Sequence, residues 1–157
     1  MINRKIIKAV YLGILIILTN CGFSPIYTGD IKPITLFKLE ISGDKNLSFD
    51  LENKLNFIKN EGSGNSYFFK AQIFDSSDPT LVDSRGIATE ENISLTVSYQ
   101  FLNKDGTAVY QDSITKTKRV SVTDNIANNN LVKNNEKKLL LDSIVQNIQF
   151  KTKVVFK

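Results

Sequence analysis

The chain has 157 residues, enough for one domain, and its 41% apolar and 23% charged residues are an ordinary globular composition. It contains no His and a single Cys, which excludes Ser-His-Asp and Cys-His catalytic sites, the usual zinc and copper sites and an internal disulfide. No carboxylate pair suggests a hydrolase. We therefore predict a protein that is not an enzyme and that has no cofactor.

The net charge of +4 is concentrated at the N-terminus. Arg4, Lys5 and Lys8 are the only charged residues before Cys21, so removing that segment would leave the remainder nearly neutral. A nearly neutral domain has no electrostatic reason to bind nucleic acid, and we predict no nucleic-acid partner.

The N-terminal segment has the pattern of a lipoprotein signal peptide. A basic start precedes an apolar run over residues 9–18, which is shorter than the roughly 20 apolar residues that span a bilayer. Leu18-Thr19-Asn20-Cys21 follows, with Asn20 where Gly, Ala or Ser is usual. We predict that residues 1–20 are removed and that Cys21 is lipidated. The alternative is a buried Cys21 in an uncleaved N-terminal helix.

Residues 21–33 are predicted to form the lipidated tether, and a single domain is predicted over residues 34–157. In that domain, alternation predicts a strand over residues 34–42 with Phe37, Leu39 and Ile41 on its apolar face. Helical spacing of apolar residues predicts a short helix over residues 48–60, with Ser48 as its N-cap.

Three further strands are predicted in the middle of the chain. They cover residues 67–74, 93–102 and 108–122, and a turn at residues 103–106 joins the last two as a hairpin. Residues 75–86 are predicted to be a polar loop because Pro79 opposes a continuous strand. Asp75, Asp78 and Asp83 in this loop miss the spacing of an EF-hand calcium site.

The C-terminal part of the chain is predicted to be a long helix. Leu141, Ile144, Val145 and Ile148 form one apolar stripe, while residues 124–130 read as a polar loop or a frayed start. The element order is therefore β-α-β-β-β-α. It predicts an α+β fold in which two helices pack on one face of a mixed, roughly four-stranded sheet.

The mature start, Cys21-Gly22-Phe23-Ser24-Pro25-Ile26-Tyr27, and the element order together resemble the LptE family of lipopolysaccharide-assembly lipoproteins in its alphaproteobacterial form. The resemblance covers nearly the whole mature chain. It implies an outer-membrane lipoprotein, anchored on the periplasmic side through its N-terminal lipid. It also implies that the protein plugs and helps assemble an LptD-like β-barrel and binds lipopolysaccharide. Gly22, rather than Asp, after the cysteine also favours the outer membrane.

Four cations are the candidate ligand-binding residues under this resemblance. Lipid A phosphates and inner-core sugars are anionic, so Arg85, Lys116, Lys118 and Arg119 are predicted to bind lipopolysaccharide. Lys116 and Lys118 are two residues apart on a strand and should share a face. The alternative is that they keep an edge strand soluble.

Phe68 and Phe74 are the candidate protein-contact residues. Both are predicted on the second face of the strand over residues 67–74, where they would meet the barrel or be covered by a helix as ordinary core. The alternative function is a lipid-anchored periplasmic binding protein, the auxiliary lipoprotein of a lipid-trafficking transporter.

Overall fold

The computed structural model describes residues 34–55 and 66–156. Within these residues, four strands and two helices follow one another in the predicted order β-α-β-β-β-α. In chain order they are β1 (Thr35–Ser42), α1 (Lys45–Leu55), β2 (Ser66–Val82), β3 (Ala88–Leu102), β4 (Ala108–Ser121) and α2 (Ile126–Val155).

The strands form one mixed sheet in the order β1-β2-β3-β4. β1 is parallel to β2, since α1 carries the chain back between them, whereas β2, β3 and β4 are joined as antiparallel hairpins. The turn between β3 and β4 is the predicted one: the Asn103 side chain accepts hydrogen bonds from the backbone of Asp105 and Thr107, and Gly106 has a φ of +80°. The predicted α+β fold is confirmed.

The hydrophobic core lies between the two helices and one face of the sheet. The predicted stripe of α2 is buried here, as are alternate residues of β2 and β3. The fully buried side chains include Leu51, Leu55, Phe69, Leu95, Val97, Phe101, Leu141, Ile144 and Ile148. The burial alternates along β3 from Ile93 to Phe101, which explains why period-two patterning located this part of the strand. β3 begins five residues before the predicted start, at Ala88.

The face predicted for β1 is wrong at one position. Phe37 is 51% exposed, and Leu36 occupies the core position instead. The pairing of β1 with β2 shifts register between Leu36 and Lys38, and such an irregularity turns the preceding side chains to the other face. Leu39 and Ile41 beyond it do pack on the core as predicted.

Helix α1 begins three residues before its predicted start. The carboxylate of Asp44 accepts hydrogen bonds from the backbone N–H groups of Asn46 and Leu47, both at 3.0 Å, so Asp44 caps the helix. The prediction of Ser48 as N-cap is therefore wrong, and Ser48 lies inside the helix. The predicted C-terminal part of this helix lies outside the described residues.

Strand β2 continues through most of the predicted polar loop. It reaches Val82 and pairs with β3 beyond Pro79, so the prediction of a loop from Asp75 is wrong. Pro79 is tolerated because β1 pairs with β2 only as far as Gln72, and because the register shifts between Pro79 and Leu81. The tight turn comprises only residues 83–87. It is closed by the backbone N–H of Asp83, which donates to the carbonyl oxygen of Ile87 at 2.8 Å.

Helix α2 also starts earlier than predicted, at Ile126. The Asn125 side chain caps it by accepting from the backbone N–H of Asn128 at 3.0 Å. Asn129 is buried and exchanges hydrogen bonds with Thr123, which anchors the first turn to the end of β4. These Asn-rich residues resemble a loop in sequence. They can begin a helix because an Asn side chain accepts a hydrogen bond from a backbone N–H group that has no partner within the helix.

Ion pairs surround the core where α2 meets the sheet. Lys133 pairs with Glu91, Lys137 with Asp75 and Lys151 with Asp112, and Lys54 of α1 pairs with Asp142 of α2. The Asp112 carboxylate also accepts hydrogen bonds from the hydroxyls of Tyr110 and Tyr99, at 3.2 and 3.4 Å. The hydrogen bond from Lys151 holds the pKa of Asp112 below its usual 3.8, and burial raises the pKa of the Tyr99 hydroxyl.

We expect Asp112→Asn to lower the free energy of unfolding by about 1 kcal/mol at pH 7, a small value because Lys151 is 42% exposed and solvent screens the pair. Because the pKa of Asp112 is lower in the folded than in the unfolded state, its carboxylate stabilises the fold at pH values above the unfolded-state pKa. The difference in unfolding free energy between variant and wild type should therefore decrease as the pH falls below about 4. Urea denaturation at several pH values measures it. Asp105→Asn, in an exposed turn, is the control, and a constant difference down to pH 3 would contradict the prediction.

Candidate functional site

The predicted anchor cannot be placed in the fold. Cys21, the signal peptide over residues 1–20 and the tether over residues 21–33 all lie outside the described residues. Their assignment rests on the sequence pattern alone, and the lipidation of Cys21 stays a prediction.

Lys116 and Lys118 do share a face of β4, as predicted. They stand opposite Leu95 and Ile93 of β3 and therefore project on the side of the sheet that carries the helices. Lys116 is half-buried and Lys118 is exposed. Among the described residues, no carboxylate forms an ion pair with either lysine. In the described sheet β4 has a neighbour on one side only, so it is the edge strand that the alternative interpretation assumed.

The two arginines are placed differently from the lysines. Arg119 stands opposite Asn92 on the other face of the sheet, with its guanidinium 3.6 Å from Glu90. Arg85 lies in the turn between β2 and β3, where its Nε and Nη2 donate to the Asp83 carboxylate at 2.9 and 2.8 Å. The backbone N–H of Ile87 and the Arg85 side chain both lower the pKa of Asp83.

The four predicted cations do not form a single cluster. Lys116 stands opposite Leu95 in the middle of β3, and the other three lie toward one end of the sheet. This end holds the β2–β3 turn and the C-terminal end of β4, because Glu90 pairs with Ser121. Arg85 and Arg119 are each neutralised by a neighbouring carboxylate, whereas the two lysines are available to an anionic ligand. The candidate anion-binding site therefore comprises two residues, Lys116 and Lys118, instead of the four that the sequence predicted.

The other face of the sheet is covered by neither helix. Its central positions are hydroxyls and amides that pair across the strands: Thr96 bonds to Thr115 at 2.8 Å and Ser98 to Ser113 at 3.0 Å. A groove of about 480 Å³ lies over it, lined among others by Ser42, Lys70, Gln72, Ser98, Gln100 and Gln111. This open face can form many uncharged hydrogen bonds. The polar alternation of β3 was visible in the sequence, but the depth of the groove was not.

Aromatic side chains border this open face. Phe68 packs against Phe37, with ring centroids 6.4 Å apart, and Lys38 lies 4.9 Å above the Phe68 ring. Phe74 is 52% exposed. The interpretation of Phe68 and Phe74 as core covered by a helix is therefore wrong, because both helices pack on the opposite face. Phe37 joins them on this face and was missed because the register shift in β1 has no signal in the sequence.

The described part of the chain contains no group of three or more metal-ligating side chains. Within the same residues, no helix is both long enough and apolar enough to cross a bilayer.

Comparisons of the sequence with protein-family models and with curated proteins find no match. Solved structures do match. The minor lipoprotein from Acinetobacter baumannii is 15% identical, with a TM-score of 0.55 over 79% of this chain and 92% of that one. Uncharacterized lipoprotein B from Nitrosomonas europaea is 13% identical, with a TM-score of 0.56 over 74% and 81%. Rare lipoprotein B from Shewanella oneidensis is 13% identical, with a TM-score of 0.50 over 73% and 95%.

The chain has the fold of these bacterial lipoproteins. At such low identity the likeness concerns the fold alone and transfers no binding residue.

Proposed function

We propose that this protein is a lipid-anchored outer-membrane component of lipopolysaccharide assembly, which plugs and helps assemble an LptD-like β-barrel and binds lipopolysaccharide. The observation that carries the proposal is the lipoprotein fold in a chain that contains Cys21-Gly22-Phe23 directly after a segment with the pattern of a lipoprotein signal peptide. The sequence resembles the LptE family at this start, and the described residues that form the fold lie outside that motif. The protein has no catalytic role in this proposal.

The open sheet face supports a role inside a protein partner. A plug needs a surface that can contact a barrel wall, and barrel interiors are polar. The hydroxyl and amide groups of the open face, with Phe68 and Phe74 at its borders, match such a surface. Exposed aromatic side chains at this position become buried on binding, which stabilises the complex.

The lysine pair supports the binding of lipopolysaccharide. Phosphates of lipid A are strong acceptors, and Lys116 and Lys118 offer two positive charges on one strand face with no described carboxylate to neutralise them. The apolar positions opposite them, Leu95 and Ile93, are buried in the core. The ligand would therefore contact the ammonium groups at the margin of the helix layer.

Purification of the mature protein from detergent-solubilised outer membranes tests the proposed partner. We expect stoichiometric recovery of a large outer-membrane β-barrel protein. Recovery of an inner-membrane transporter alone would contradict the proposal and favour the alternative function, an auxiliary lipoprotein of a lipid-trafficking system. Depletion of the protein should leave newly made lipopolysaccharide short of the cell surface.

We expect Lys116→Ser combined with Lys118→Ser to weaken lipopolysaccharide binding about tenfold at low salt, where such contacts are strongest. The control removes the same charge at the opposite end of the sheet, through Lys104→Ser and Lys153→Ser. Arg119→Ser should have a smaller effect, since Glu90 already neutralises Arg119. Binding assays with purified lipopolysaccharide measure these changes. If the lysine variant and wild type bound lipopolysaccharide with equal affinity, the proposed ligand role would be wrong and the lysines would serve only to keep the edge strand soluble.

A further inference from the structure

Strand β2 extends well beyond the strand that pairs with it on its outer side. β1 ends at Ser42, opposite Gln72, whereas β2 continues to Val82. From Phe74 to Asp78 the backbone pairs regularly with β3 on one side and with no described strand on the other. We call Phe74–Asp78 the free edge. Five residues of extended chain present about 17 Å of backbone donors and acceptors.

Both ends of the free edge are defined by the fold. At one end, the backbone of Gly43 packs against the carbonyl oxygen of Ile73, so close that an added Cβ would lie 2.4 Å from it. At the other end, Pro79 and the register shift that follows it interrupt the regular ladder. A segment bound here would have room for about five residues in line with β1.

Apolar groups lie on both sides of the free edge. On the helix side, α1 and α2 form a groove of about 390 Å³ in which Phe49 and Leu131 are 64% and 60% exposed. Lys137 lines this groove and pairs with Asp75, which places the groove beside the free edge. On the opposite face, Phe74 is half exposed. A strand paired with the free edge would thus bury apolar side chains in both directions.

The edge strand β4 and the free edge of β2 differ in how they resist strand addition. β4 carries the cations Lys116, Lys118 and Arg119 within four residues, and charged side chains of this kind keep an edge strand from pairing. The free edge of β2 has no Lys or Arg. Its only charged residues are Asp75, which pairs with Lys137, and Asp78. Of these two edges, the free edge of β2 is therefore the less protected against strand addition.

Charge indicates what kind of segment binds. Asp78 at one end and Asp44 at the other form no ion pair with a cation among the described residues. A second copy of the chain would bring two sets of Asp75 and Asp78 onto one ladder, and like charges across strands are unfavourable. A segment with basic residues at its ends would complement both carboxylates.

We propose that the free edge of β2 receives an extended segment of a second protein as an added strand, with basic residues at its ends and β-branched apolar side chains turned into the Phe49–Leu131 groove. This is recognition by β-strand addition, in which backbone hydrogen bonds provide affinity and alternate side chains provide specificity. The proposal is independent of lipopolysaccharide binding, because it uses neither Lys116 nor Lys118.

The test titrates the full chain in detergent with a capped hexapeptide that has lysine at both ends and alternating threonine and valine between. We expect binding to slow amide hydrogen exchange at Phe74–Asp78. A peptide with glutamate at both ends should bind about fivefold more weakly. Phe49→Ala with Leu131→Ala should raise the Kd about tenfold. The matched pair Val109→Ala with Phe150→Ala, also exposed apolar residues, should leave it unchanged.

Four outcomes would overturn the proposal. If the peptide slowed amide hydrogen exchange at β4 instead of the free edge, strand addition would occur at β4. Equal affinity for the lysine-ended and glutamate-ended peptides would exclude the proposed role of charge. Protection of Phe74–Asp78 without peptide would show that another segment of the chain covers this edge. Protection that increases with protein concentration would indicate a second copy. The lipopolysaccharide affinity of the Phe49 and Leu131 variant should stay at the wild-type value, which separates the two functions.

Discussion

Replacing Phe101 by Ala is expected to lower the free energy of unfolding by about 3–5 kcal/mol, the largest effect of a single substitution in the described domain. The Phe101 side chain is completely buried, and its ring lies 5.1 Å from the rings of both Phe69 and Phe156 and 6.0 Å from that of Tyr99. Alanine would leave a cavity at the point where β3, β2 and the end of α2 meet. Urea denaturation monitored by circular dichroism measures the loss.

Phe74→Ala is the matched control for Phe101→Ala. Phe74 belongs to the same sheet and is the same residue type, but it is 52% exposed on the open face. We expect a loss below about 1 kcal/mol, because little apolar area returns to water. Similar losses for the two variants would mean that the open face is buried in the isolated protein, contrary to the fold described.

Gly43→Ala is expected to lower the free energy of unfolding by about 3 kcal/mol, combining backbone strain with overpacking. Gly43 has a φ of +126°, which residues with a side chain rarely adopt, and a Cβ there would approach the carbonyl oxygen of Ile73 to 2.4 Å. That carbonyl belongs to a strand held by β3, so it cannot easily move away. Thermal and urea unfolding both report the change.

Gly86→Ala separates the effect of backbone strain from that of overpacking. Gly86 also has a positive φ, of +79°, but nothing lies within 4 Å of an added Cβ. Only the backbone strain remains, and we expect about 1 kcal/mol. If Gly43→Ala cost no more than Gly86→Ala, the close approach of the β1–α1 connection to β2 would be excluded.

The Gly43→Ala prediction bears on function because Gly43 lies in the connection that ends β1. The same close contact between Gly43 and Ile73 marks where the free edge of β2 begins. Stability and the proposed strand addition therefore depend on one local geometry. The open sheet face and the lysine pair lie elsewhere on the domain, so substitutions there should affect binding with little cost in stability.

The regular elements could be predicted from the sequence wherever one face of an element is buried. Ile93 to Phe101 alternate strictly, and Leu141, Ile144, Val145 and Ile148 repeat with helical spacing, because each set must face the same core. The helix starts were less accurate. Asp44 and Asn125 cap their helices through side-chain hydrogen bonds, and several residues near each start are of types that can also cap.

The residue types of the candidate anion-binding site could be predicted from the sequence, but the ion pairs that its cations form could not. A two-residue spacing was sufficient to place Lys116 and Lys118 on one face. No spacing could show that Glu90 would neutralise Arg119 or that Asp83 would hold Arg85, since the first pair depends on strand register and the second on a local turn conformation. The number of cations left for a ligand is a property of the tertiary structure.

By itself, the sequence determined the element order, the core faces of β3 and α2, the β3–β4 turn and the lipoprotein-like start at Cys21. Local periodicity and turn chemistry contain that information. Only the tertiary structure decided that β2 passes through Pro79, that Phe37 leaves the core and that neither described helix covers the second face of the sheet. Each depends on where a neighbouring strand or helix ends, and that is set by packing between elements distant in sequence.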